Sequence, residues 1–295
     1  MDLFFAQLIN GIGAGVVYAS LALALVLIFR TTGILNFAQG EMALVSTYLT
    51  WKFTDYGWPV WLSIVASVAI SFVGGALIER IIIRPVERSS PLVIVIVTIG
   101  LFLALNSLAQ VIFGTDNKVM PRFYEFHVWE LAGIRVSSDT VVLVAVLAVE
   151  CALLWLLLQR TKIGLALRAV ASNAESSRLV GVSVGTMLMF GWGLSAALGA
   201  LAGSLVIPTT GSQSLTAGSM QAILFYAFAA AAIGGFDSPV GAVVGGMIVG
   251  VTQALTIEYV DALDGIESVV PLALILLVLL FKPSGLFGKV QVERV

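Results

Sequence analysis

Asn36, Gln39 and Glu41 stand close together in the segment TTGILNFAQGEM, residues 31–42, between long apolar runs and just after a helix-breaking Gly33. Amide and carboxyl groups are costly in hydrocarbon and usually face a cavity or one another, so they mark a candidate translocation pathway. In the second reading Glu41 sits at headgroup level, starting a helix whose dipole favours an acid there. Both readings stay open at this point. Asn106 and Glu150, in later apolar runs, are further candidates of the same kind, and for Glu150 a buried interhelical hydrogen bond is the better reading.

A second polar segment, RTKIGLALRAVASNAESSRLVGVSVGTM, residues 160–187, reads as a short amphipathic helix. Leu165, Leu167, Val170, Ala171, Ala174 and Leu179 give it an apolar side, while Arg168, Asn173, Glu175 and Arg178 carry the polar groups. Gly181 and Gly185 then let the chain turn back. Such a helix docks into a partner's groove or lies flat at the membrane interface. No convergent set of acids, histidines and nucleophiles suggests bond-making chemistry, so no catalytic residue is assigned.

The elements that must position these residues are membrane spans. Of 295 residues 59% are hydrophobic and 11% charged, with a mean hydropathy of +1.06, whereas soluble domains carry roughly 25% charged residues. A net charge of -2 leaves no basic surface for nucleic acid. One cysteine, Cys151, and one histidine, His127, exclude a disulfide framework and zinc patterns, and no metal site is assigned. The N-terminal segment lacks a basic signal-peptide region and reads as a retained first span.

About 20 apolar residues cross a bilayer core as a helix. Residues 3–29, 56–78 and 89–115 carry no charge, and 36–51 and 140–159 carry one acid each, Glu41 and Glu150. The charge-free stretch 179–236 is divided by PTTGSQSLTAGS and holds two spans, the second of which, 220–235, is short enough to be re-entrant. Residues 238–257 and 268–281 follow, separated by Glu258, Asp261, Asp264 and Glu267. The expected fold is thus an all-α polytopic membrane helical bundle of about nine spans, between eight and ten, in one transmembrane domain over 1–295.

An odd span count puts the termini on opposite sides, and Lys and Arg concentrate in cytoplasmic loops. A cytoplasmic C-terminus and an outside N-terminus collect 11 of the 15 basic residues on the inner side, leaving Lys52, Lys118, Arg122 and Arg135 outside. The 160–185 loop is then cytoplasmic. Glycines at four-residue spacing, Gly11 and Gly15, Gly199 and Gly203, Gly241 and Gly245, Gly246 and Gly250, are expected to let helix backbones approach closely.

Five ordered segments carry a family resemblance: ASLALALVLIFRTTGILNFAQGEM, IERIIIRPVERSS, TKIGLALRAVASNAESSRLVGVSV, AAIGGFDSPVGAVVGG and FKPSGLFG. They resemble the branched-chain amino-acid permeases of bacterial ATP-binding-cassette importers, over nearly the whole chain. The resemblance implies a fold like that of the larger type II importer permeases, in the bacterial inner membrane. It implies a heterodimer with a second related permease, two cytosolic ATPase subunits, and an extracytoplasmic binding protein delivering leucine, isoleucine or valine. It also makes the 160–185 loop the coupling segment, with Arg168, Ala171, Asn173, Glu175, Arg178 and Gly181 as its contact residues. Relatives for urea, short amides or other amino acids keep those substrates open.

The phosphate-binding pattern GxxxxGK[ST] is absent: around Gly288 and Lys289, Pro283 replaces the first glycine and Val290 the hydroxyl residue. The chain is therefore expected to be a transport subunit and not an enzyme, without a cofactor of its own, ATP and magnesium being held by partner subunits. An ion-driven carrier or channel would explain the hydropathy equally well. That rival predicts paired intramembrane charges, where the spans offer the isolated Glu41 and Glu150.

Overall fold

A computed structural model describes residues 2–87, 89–131, 134–209, 213–260 and 269–288. Arg88, Asp261, Asp264, Glu267, Lys289 and Arg294, which entered the charge pattern above, lie outside the described residues.

Every expected apolar run contains a helix. In chain order these are α1 (Asp2–Thr32), α2 (Gln39–Asp55), α3 (Val60–Ile78), α4 (Pro91–Phe113), α5 (Ser138–Arg160), α6 (Lys162–Ser172), α7 (Ala174–Leu179), α8 (Val184–Val206), α9 (Ser219–Gly234), α10 (Pro239–Tyr259) and α11 (Val269–Phe281). Among the described residues, α1, α3, α4, α5, α8 and α10 are the six helices long and apolar enough to cross a membrane. The chain is a multi-pass membrane protein. The helices α2, α9 and α11 are shorter, at 17, 16 and 13 residues. At about 1.5 Å per residue, α9 reaches about 24 Å, less than a bilayer core.

Among the described residues the fold departs from purely helical in two places. Strand β1 (Lys118–Val119) pairs with β4 (Ser214–Leu215), and β2 (Val128–Leu131) pairs antiparallel with β3 (Ile134–Ser137). The second pair is a hairpin with Trp129 opposite Val136 and Glu130 opposite Arg135. Backbone pairing satisfies polar groups that a structureless loop would leave to water.

Contacts gather the chain into two compact units. In the unit of residues 1–26, 125–147 and 223–295, glycine brings α1 against α10. A Cβ added at Gly11 would lie 2.6 Å from the Val251 Cα, and one at Gly246 would lie 2.7 Å from the Ala19 Cβ. Tyr18 stacks on Tyr226 with ring centroids 4.7 Å apart. After α11 the segment 284–288 returns to the α9–α10 turn, where the N–H of Leu286 and Phe287 donate to the carbonyls of Ile233 and Gly234. Gly235 (φ +104°) and Gly285 (φ +78°) meet there in a left-handed conformation that only glycine adopts freely.

The unit of residues 27–124 and 148–222 is built on α2, α3, α4 and α8. A Cβ at Gly75 would lie 2.6 Å from the Trp192 carbonyl, and one at Gly193 would lie 2.7 Å from that of Phe72, so α3 and α8 touch backbone to backbone. Ile28, Met42, Ile83, Trp192 and Ala196 form the core beside that contact.

Candidate functional site: a buried polar seam and a paired-helix loop

Along α2, a polar seam faces α8. Gln39 Nε2 donates to the Ser195 carbonyl at 3.1 Å, and the Ser195 hydroxyl donates back to Gln39 Oε1 at 3.0 Å. Asn36 Nδ2 donates to the same Gln39 oxygen at 3.2 Å, and its own Oδ1 accepts from the Ala38 N–H. One turn further, Ala43 lies against Gly199 and Thr47 against Gly203, and then Thr50 and Ser204 share a 2.8 Å hydrogen bond. Residue numbers rise together on both helices, so α2 and α8 run in the same direction. Ser46 branches off to the Ser71 hydroxyl of α3 at 2.6 Å.

Glu41 is bonded toward α4 instead. Asn106 Nδ2 of α4 donates to Glu41 Oε2 at 3.0 Å and to the Ala217 carbonyl at 2.9 Å, while Gln110 Nε2 donates to Asn106 Oδ1 at 2.7 Å. Glu41 stands in the first turn of α2, where the helix dipole favours an acid. Its neighbours show that α2 begins far along the helices it packs on. Ser195 lies 11 residues into α8 and Asn106 lies 15 residues into α4, about 17 Å and 22 Å from their first residues. The first turn of α2, with Glu41 in it, thus packs part-way along α4 and α8. Glu41 is also wholly buried, as are Asn36 and Gln39. Asn36 and Gln39 thus bond with Ser195 of α8 in one group, while Glu41 and Asn106 form a second group with Gln110 and the Ala217 carbonyl.

The segment 160–185 forms two helices where one was expected. The Thr161 hydroxyl caps α6 by accepting from the Gly164 N–H at 3.0 Å, and Asn173 Oδ1 caps α7 by accepting from the Ser176 N–H at 2.8 Å. Asn173 is extended (φ −159°, ψ 105°), so it ends α6 and starts α7 at once. The asparagine's capping preference outweighs the continuity of the apolar pattern. Leu167 and Val170 are buried, and Val170 packs with Val184 and Leu188 of α8.

Leu179 and Val180 point away, 89% and 79% exposed. Asn173, Glu175, Arg178 and Gly181 are exposed as well, while Ala171 is half-buried. Arg168, also half-buried, donates to Gln159 Oε1 at 2.9 Å. Gly181 has φ +85°, which makes the turn back toward α8. The loop thus has an inner face fixed to α8 and an exposed outer face.

Between the end of α1, the starts of α4 and α8, and α6 lies a cavity of about 480 Å³. Ile34, Ile94, Val170, Leu188 and Trp192 make it largely apolar, and Glu79 and Glu87 add carboxylates. Two features escaped sequence reading: the exposed Val180 of the loop, and an ion pair from Arg84 to Glu79 at 2.7 Å. Glu150 is buried in α5.

The family described as "Branched-chain amino acid transport system / permease component" matches residues 7–279. The chain belongs to that family. The match takes in the polar seam and the paired-helix loop together. Among relatives, the high-affinity branched-chain amino acid transport system permease protein LivH of Escherichia coli K12 is 29% identical, over 99% of this chain and 98% of that one. BraD of Pseudomonas aeruginosa, of the same description, is 27% identical over the same shares. A probable branched-chain amino acid transport permease protein LivH of Methanocaldococcus jannaschii is 29% identical over 91% of this chain and 87% of that one. As permease components these relatives are transport subunits and not enzymes. Residues 7–279 hold nine of the eleven helices entire; only the start of α1 and the end of α11 fall outside.

Proposed function

We propose that this chain is the permease subunit of an ATP-binding-cassette importer for leucine, isoleucine and valine. The family match over residues 7–279 carries this reading. It works with a second related permease, two cytosolic ATPases and an extracytoplasmic binding protein in a bacterial inner membrane, with the N-terminus outside and the C-terminus cytoplasmic. ATP and magnesium sit on the partner subunits, and this chain needs no cofactor of its own.

The mechanism is alternating access. ATP binding closes the ATPase pair, and Leu179, Val180 and the polar row of Asn173, Glu175 and Arg178 receive the movement in the partner's groove. The inner face of the loop, through Val170, passes it to Val184 and Leu188 in α8. Because α2 lies along α8 through the polar seam, Asn36, Gln39, Glu41 and Asn106 are displaced together and border the opened pathway. Burial of these groups in the closed packing favours one state, and a substrate's contacts favour the other. Hydrolysis resets the cycle.

Reconstituted with its partners in vesicles, the complex should hydrolyse ATP several-fold faster when the binding protein carries leucine. Stimulation by urea or a short amide and not by leucine would move the substrate assignment within the family. Import driven by an ion gradient without ATP would overturn the reading.

A further inference from the structure

We propose that Arg84 is a positioning residue that locks the paired-helix loop to α3, so that movement of the loop reaches two membrane helices as one body. This rests on the coupling role proposed above for residues 160–185.

Glu79–Ile83 continues α3 as a single wide helical turn, closed by the Arg84 N–H donating to the Glu79 carbonyl five residues back. An ordinary α-helix places residues five apart on different faces; the wider turn brings these two together. Their side chains then pair twice, Arg84 Nε to Glu79 Oε1 at 3.2 Å and Nη2 to Oε2 at 2.7 Å. The same Nη2 donates to the Gly185 carbonyl at 2.7 Å. Gly185 is the second residue of α8, directly after the loop. A Cβ there would lie 3.2 Å from the guanidinium carbon, a tight contact to which the Arg84 side chain would have to yield.

Why this pair exists is not answered by stability. Glu79 is buried while the Arg84 side chain is 34% exposed, and such an ion pair contributes little net stability over an apolar pair. Arg84 satisfies that buried acid and fixes its third contact on the loop's exit. Lysine, a point donor, cannot make the forked pair. Next to Gly185 in sequence, Val184 packs with Leu188 and with Val170 of α6. The loop, the start of α8 and the end of α3 are thus linked by an apolar contact and a forked ion pair.

The test uses the full complex carrying Arg84→Lys or Gly185→Ala. The second variant keeps both members of the ion pair and disturbs only its reach to α8. Three quantities are measured: ATPase subunits retained on purification, crosslinking from a cysteine at Asn173 to the ATPase, and leucine imported per ATP hydrolysed. Both variants should keep the subunits and the crosslink, hydrolyse ATP, and import at least about fivefold less per ATP, the scale of a typical coupling between sites. Wild-type import per ATP in both variants would overturn the proposal. Loss of subunits and crosslink in both would also overturn it, making Arg84 a folding element. Failure of the Asn173 crosslink without either substitution would instead fault the choice of loop, separately from Arg84.

Discussion

Gln39 and Ser195 hydrogen-bond each other reciprocally, amide to carbonyl at 3.1 Å and hydroxyl to amide oxygen at 3.0 Å, in a place where neither meets water. Removing the Gln39 amide takes away both bonds to Ser195 and the one accepted from Asn36. Gln39→Leu should therefore lower complex stability by about 1–2 kcal/mol, the range seen for interhelical hydrogen bonds in membranes. Thermal inactivation of the purified complex measures it, and an unchanged midpoint would show that the seam is replaceable by apolar packing.

Glu41→Gln keeps the size of the side chain and its ability to accept from Asn106, so assembly should be close to wild type. Transport should fall by at least about tenfold if the acid borders the opened pathway, as expected of ionisable groups at membrane depth. Subunit retention and leucine uptake, measured on the same vesicles, separate the two effects. Equal uptake would remove Glu41 from the pathway and leave it a packing residue.

Where α1 crosses α10, no space remains for a side chain. Gly246→Leu would drive a branched side chain into the Ala19 backbone, which a Cβ alone approaches to 2.7 Å. Overpacking of this kind costs about 1–3 kcal/mol or more. The variant should be recovered at a small fraction of wild-type yield in membranes, whereas Gly74→Leu, with open space at its Cβ, should be recovered normally. Equal recovery of the two would show that α10 can shift away from α1.

Hydropathy made the long helices legible, because twenty apolar residues in a row have few alternatives. The start of α2 was also visible, in Gly33 and the polar cluster after it. Its packing position was not. That depends on which residues of α4 and α8 lie beside it, a tertiary fact that no local pattern carries. The hairpin around Trp129 and Val136 has strands of four residues, too short to show a period against the flanking spans. The break at Asn173 was readable in principle, since an asparagine followed by Ala-Glu-Ser starts helices well, but the apolar pattern runs through it. The Glu79–Arg84 pair was invisible because its five-residue spacing suits a wide turn and not the α-helix that the pattern predicts.

The central claim is that residues 160–185 meet the ATPase, and cysteine crosslinking tests it most directly. In a Cys151→Ser background, single cysteines at Asn173 and Glu175, both exposed on the outer face of the loop, are paired against cysteines in the ATPase groove. Ala171→Arg is compared in parallel. Crosslinks should form at both positions and change in yield with ATP. The Ala171→Arg chain should insert in the membrane yet lose the ATPase or hydrolyse ATP without import. Absence of crosslinks at Asn173 and Glu175, with crosslinks instead from cysteines at 80–90, would contradict the account and make that loop the coupling element.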